Sequence, residues 1–82
     1  MVTVRYFGPT RLLSKRSGVR VEAGSIVELL EILAALDQGV TLAALRNSLI
    51  FVNGDSIHNL KGFRTKLADG DEVQIFSPMG GG

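Results

Sequence analysis

The sequence predicts an α+β domain in which a mixed sheet of four to five strands carries one main helix across one face. Three observations predict it. Val2-Thr3-Val4-Arg5-Tyr6-Phe7 alternates and is rich in β-branched and aromatic residues, as a strand requires. Glu72-Val73-Gln74-Ile75-Phe76 does the same near the other end of the chain. Between them Ile26, Leu29, Leu30 and Leu33 recur at helical spacing and form one apolar stripe. Elements that are each apolar on one side bury those sides most simply as two packed layers.

The remaining elements follow in chain order. Gly8-Pro9 ends the first strand, and residues 10–18 read as a loop that tucks Leu12 and Leu13 inward. Val19-Arg20-Val21-Glu22 alternates again and reads as a hairpin partner of the first strand. Ser25-Ile26-Val27-Glu28 has the S-x-x-E form of a capping box, which opens a helix from Ile26 to about Leu36. Asp37-Gln38-Gly39 stops it, with Gly39 as the C-terminal cap. Thr41 to Asn47 forms a short second helix with Leu42 and Leu45 inward. Ser48 to Asn53 is a third strand, Asn53-Gly54-Asp55 a turn, and Ser56-Ile57-His58 a short strand. Lys61 to Lys66 reads as loop, and Asp69-Gly70-Asp71 turns the chain into the last strand. Pro78, lacking an N–H, ends pairing. The expected division is a domain over residues 1–78 and a flexible glycine tail over 79–82. A sheet of this order with its first and last strands side by side in the middle has the β-grasp architecture.

Composition narrows the function. At 82 residues the chain has room for one small domain. It has no cysteine, hence no disulfide and no thiolate for catalysis or metal binding, which suits a reducing, cytoplasmic setting. A net charge of +1 gives no general attraction to nucleic acid or membranes, and neither is an expected partner. Arg5, Arg11, Lys15, Arg16 and Arg20 all precede the first acid, Glu22, and read chiefly as a solvated surface. No apolar stretch is long enough to span a membrane, and no signal-peptide pattern opens the chain.

The usual catalytic constellations are missing. His58 is the single histidine, and nothing pairs it with a serine such as Ser56 in a nucleophilic set. One histidine and scattered carboxylates make no metal site, and Asp69, Asp71 and Glu72 lack the calcium-loop pattern. No catalytic residue, metal or bound cofactor is expected within the domain. Gly80-Gly81-Gly82 reads either as an ordinary unstructured chain end or as the place for chemistry. Without Cβ atoms such a tail threads a narrow channel and leaves its terminal carboxylate open to react.

Three stretches carry a resemblance. Val4-Arg5-Tyr6-Phe7, Phe51-Val52-Asn53-Gly54 and the closing segment Leu67 to Gly82 resemble the MoaD/ThiS-type ubiquitin-like sulfur carriers. These include the small subunit of molybdopterin synthase, thiamine-pathway sulfur carriers and archaeal ubiquitin-like modifiers. The closing segment is the most specific: a D-G-D-x-V strand leads through proline to a terminal glycine pair. Gly80 stands where relatives usually have alanine or serine. The resemblance implies a β-grasp fold and a carrier rather than an enzyme. An E1-like adenylating enzyme, using ATP and magnesium, would activate Gly82, with Gly81 its partner in the pair. Sulfur would then replace AMP to give a thiocarboxylate. The molybdopterin synthase large subunit or another sulfur-acceptor enzyme would receive it. The alternative is a protein modifier joined through Gly82 to target lysines; a third reading is an interaction module with an idle tail.

Strand parity supplies a docking surface. If Val2, Val4, Val73 and Ile75 face the helix, Phe7 and Phe76 face outward at the tail-proximal end of parallel neighbours. If Ile50 and Val52 face inward, Leu49 and Phe51 join them. With Pro78 and Met79, these residues form the expected partner interface.

Overall fold

The computed structural model describes residues 1–7, 18–36 and 41–76. Five strands form one mixed sheet: β1 (Val2–Phe7), β2 (Gly18–Val21), β3 (Leu49–Val52), β4 (Asp55–Ser56) and β5 (Glu72–Phe76), in the order β2-β1-β5-β3-β4. β1 and β5 are parallel central neighbours, and the other pairs are antiparallel. This is the β-grasp arrangement. Helix α1 (Ile26–Leu36) lies across one face, and a short α2 (Leu42–Arg46) follows. Among the described residues no helix is long and apolar enough to cross a membrane.

The core follows from the two periodicities. Val2, Val4 and Tyr6 of β1, Ile50 and Val52 of β3, and Val73 and Ile75 of β5 are buried on one sheet face. They meet Ile26, Leu29, Leu30 and Leu33, the helix stripe. Leu45 of α2 is buried with them, and Leu42 packs half-buried at the edge. The bounds of α1 match the expected helix. Ser25 Oγ accepts from the Glu28 N–H at 3.3 Å, as a capping box requires. Glu28 Oε1, however, accepts from the Gly24 N–H at 3.4 Å, one residue before the cap.

Several local assignments differ from the sequence reading. The second and third strands shift by one residue at their ends, to Gly18–Val21 and Leu49–Val52. The strand expected over residues 56–58 is mostly a 3₁₀ turn, η1 (Ile57–Asn59), because Ser56 Oγ accepts from the His58 N–H at 3.2 Å and curls the chain. The loop over residues 61–66 holds a second 3₁₀ turn, η2 (Gly62–Arg64). Thr65, 7% exposed, secures it: its hydroxyl donates to the Gly62 carbonyl at 2.7 Å and accepts from the Lys61 N–H at 3.1 Å. The Thr65 carbonyl then accepts from the Ile26 N–H, a first-turn donor with no partner inside its own helix. The inward tuck of Leu12 and Leu13 and the Asp37-Gln38-Gly39 stop lie outside the described residues.

The Asn53-Gly54 and Asp69-Gly70-Asp71 motifs turn out to be partners. Asn53 and Gly54 have φ of 51° and 88°, as the two central residues of a type I′ hairpin turn between β3 and β4 require. The Asp71 N–H donates back to Ala68 at 3.1 Å, closing the second turn. Asn53 joins the two turns. Its Nδ2 donates to Asp71 Oδ1 at 3.0 Å, and its Oδ1 accepts from the Glu72 N–H at 2.9 Å. The other Asp71 oxygen accepts from the Ala68 N–H at 2.8 Å. These bonds to the ionised form, Ala68 first and Asn53 second, hold the Asp71 carboxyl below its ordinary range.

A carboxyl with a depressed folded-state pKa adds stability above its unfolded value and loses it as pH falls through the folded value. Asn53→Gly retains the positive φ and deletes only the side-chain bonds. It is expected to cost about 1 kcal/mol at pH 7. Its urea midpoint should also fall less than that of the parent between pH 5 and pH 2, acid being the window in which Asp71 protonates. An equal acid sensitivity in the two proteins would remove the clamp from the account.

Candidate functional site

The outer sheet face divides into two halves. Near the clamped turns it is polar. Arg5 Nε donates to Glu72 Oε2 at 3.0 Å, a diagonal pair across β1 and β5. Gln74 Nε2 donates to Glu72 Oε1 at 2.7 Å, and Gln74 Oε1 accepts from the Gly54 N–H at 3.3 Å. The sequence reading takes Arg5 as part of a solvated basic cluster, weighs Glu72 only as a calcium ligand and passes over Gln74, although the alternation that turns Val4 and Val73 inward turns all three outward.

The other half is apolar and stands where β5 ends. Phe7 and Phe76 are direct partners in the parallel register. Their rings stack with centroids 4.6 Å apart and planes 11° from parallel. Phe51 meets Phe76 edge-on at 5.5 Å and 82°. Leu49 pairs with Phe76 across β3 and β5. The structure thus brings together Phe7, Leu49, Phe51 and Phe76 with Phe76 at the centre. Such aromatic contacts add about 0.5–1.5 kcal/mol each beyond area burial. Packing against one another does not bury them: Phe7 stays 38% exposed, Phe76 37% and Leu49 55%, and Phe51 is half-buried. An apolar surface left open across β1, β5 and β3, with a polar border, has the composition of a docking surface.

Phe76 is also the last described residue before the tail. Whatever covers this patch therefore lies over the point from which residues 77–82 depart. Pro78, Met79, Gly80, Gly81 and Gly82 themselves lie outside the described residues. His58 is exposed, and among the described residues no group of three or more His, Cys, Asp or Glu could hold a metal ion.

The ThiS family model matches residues 4–82, nearly the whole chain. Solved structures agree. The small archaeal modifier protein 1 of Methanosarcina acetivorans superposes with a TM-score of 0.87 at 22% identity, covering 99% of this chain and 95% of that one. A chain of the BexX/CysO complex of Amycolatopsis orientalis gives 0.83 at 19% identity, covering all of both chains. A chain of the complex of subunits 1 and 2 of the molybdopterin-converting factor from Helicobacter pylori gives 0.71 at 28% identity, covering 95% of this chain and 93% of that one. No curated protein sequence matches the chain. A β-grasp sheet, matched over residues 4–82 by one family model, places the chain in the ThiS family of ubiquitin-like sulfur carriers.

Proposed function

We propose that the chain carries sulfur as a thiocarboxylate on Gly82. The observation that carries this reading is that the family match runs through the terminal glycine rather than stopping with the folded domain. In the proposed cycle an E1-like enzyme binds the carrier together with ATP and magnesium. The Gly82 carboxylate attacks the α-phosphate and displaces pyrophosphate, leaving an acyl-adenylate. This mixed anhydride turns a poor electrophile into a reactive one. A sulfur nucleophile at the sulfide level then displaces AMP, leaving the thiocarboxylate. The carrier contributes the carboxyl and its stalk, and the catalytic groups belong to the partner.

The proposed acceptor is the large subunit of molybdopterin synthase. The likeness to a chain of a two-subunit molybdopterin-converting factor, at 28% identity, supports it. The same aromatic patch serves the activating enzyme and the acceptor in turn, since both must handle the tail that leaves beside Phe76. Phe76→Ala removes the centre of the patch and is expected to weaken binding of the activating enzyme roughly 30-fold, the size of an interface hot spot. Phe51→Ala, at its border, should cost less. Calorimetric titration measures both, with circular dichroism confirming the fold. Unchanged affinity, or global unfolding of both variants, would remove the patch from the docking role.

Intact-mass spectrometry of the protein isolated from its source tests the chemistry. Replacement of one oxygen by sulfur, localised to Gly82, is the expected result. A ladder of high-mass species joined through Gly82 to lysines would establish the modifier reading instead.

A further inference from the structure

The net charge of +1 conceals a segregation. From Thr41 to Ala68 the sequence carries Arg46, Lys61, Arg64 and Lys66 against a single acid, Asp55. All four cations are exposed, and among the described residues none has a carboxylate within ion-pair distance. Two of them, Lys61 and Lys66, flank a groove of about 440 Å³ that is also lined by Asn59, Leu60 and Thr65. Leu60 is 43% exposed.

This groove is built rather than frayed. Leu60 N–H donates to the Ile57 carbonyl at 3.0 Å. Lys61 is held by the Thr65 hydroxyl through its N–H and by the Arg64 N–H through its carbonyl. Lys66 sits between two bonds to the start of α1, Ile26 N–H to Thr65 O and Leu67 N–H to Gly24 O, both 3.0 Å. The leucine and the two ammonium groups therefore project from a fixed backbone, which lowers the ordering cost of binding. None of the lining residues belongs to the aromatic patch. Lys66 pairs with Ser25, just beyond Val21, and Val21 pairs with Val2 at the start of β1. Phe7 and Phe76 close the opposite ends of β1 and β5.

We infer that this groove is a second docking site, for an acidic protein segment that places an apolar side chain on Leu60 between carboxylates facing Lys61 and Lys66. Complementary charge steers such a segment and fixes its register on the groove. Single-stranded nucleic acid fits less well, because it needs open aromatic faces for its bases. The aromatic ring of this segment, Phe63, is half-buried and has the Arg46 guanidinium over it at 5.3 Å. Binding here goes beyond the sulfur-carrier reading and does not depend on it. A partner held at the groove leaves the patch around Phe76 open to another protein.

The test is an NMR titration of the full ¹⁵N-labelled chain with a short synthetic peptide of glutamates flanking one leucine. A leucine-free peptide of equal charge and single-stranded DNA are run alongside. The expected result is saturable shifts confined to Asn59–Leu67 and neighbouring Ser25, with the Phe7, Phe51 and Phe76 amides unmoved. Binding should weaken with added salt and fall roughly tenfold in the K61E/K66E double variant, whose dispersed spectrum reports its fold. No shifts, shifts on the aromatic face, equal binding of the leucine-free peptide, or tighter binding of the DNA would each overturn the proposal. None of these outcomes involves Gly82, so failure here and failure of the carrier reading are separate events.

Discussion

Deletion of Gly81 and Gly82 is expected to abolish activation by the E1-like enzyme, with ATP–pyrophosphate exchange falling to the level seen without the carrier. The deletion leaves a carboxyl in place, on Gly80, but withdraws it by up to about 7 Å of extended chain. A reacting group misplaced by even about 1 Å can lose roughly a hundredfold in rate, so a carboxyl two residues short does not reach the α-phosphate. The folded domain should not register the change. β5 ends at Phe76, and among the described residues the buried core all precedes it. The thermal midpoint of the truncated chain should match the parent, and so should its affinity for the enzyme to the extent that the patch around Phe76 carries it. Full activity in the truncated protein would reduce the chain to an interaction module with an idle tail.

Leu29→Ala is expected to bring the largest loss of stability among single substitutions in the helix stripe, about 3 kcal/mol by urea unfolding. Leu29 is fully buried in the middle of the stripe, between Ile26 and Leu33, and the sheet closes over it. A domain of this length has about 4–12 kcal/mol in total, so the change removes a large share. No disulfide is present to offset it. The denaturant slope should stay constant while the midpoint falls. A loss below about 1 kcal/mol would mean that the neighbouring leucines collapse into the space.

These two results concern separate parts of one design. The helix stripe and the inward residues of β1, β3 and β5 hold the sheet, and the sheet holds Phe76 where the tail leaves. Phe51-Val52-Asn53-Gly54 and Asp69-Gly70-Asp71 look like separate signatures in the sequence. In the structure they are one clamp, closed by Asn53 onto Asp71 and the Glu72 N–H. The clamp fixes the turn that leads into β5.

Much of the fold was legible in advance because it rests on local periodicity. The bounds of α1, the inward set Val2, Val4, Val73 and Ile75, and the outward set Phe7, Leu49 and Phe76 all follow from periods of 3.6 and 2. The parts that were misread depend on side chains bonding to nearby backbone. Ser56 converts an expected strand into a 3₁₀ turn, and Thr65 turns an expected loop into an anchored platform. Such bonds compete with regular structure on nearly equal terms, so residue type alone does not reveal which wins. The Lys61–Lys66 groove was missed for that reason: its residues are scattered in what reads as loop.

The sequence by itself determined the layered α+β architecture and the two faces of each central strand. It could do so because burial pattern and covalent identity are carried residue by residue. Only the tertiary structure decided that Phe7, Phe51 and Phe76 touch, that Asn53 reaches Asp71, and that Lys61 and Lys66 flank one groove. The groove's residues are near neighbours in the chain, gathered by the bonds of Thr65, but the other two are contacts between segments far apart in it. They depend on strand order and register, which one residue of slip would reverse face for face.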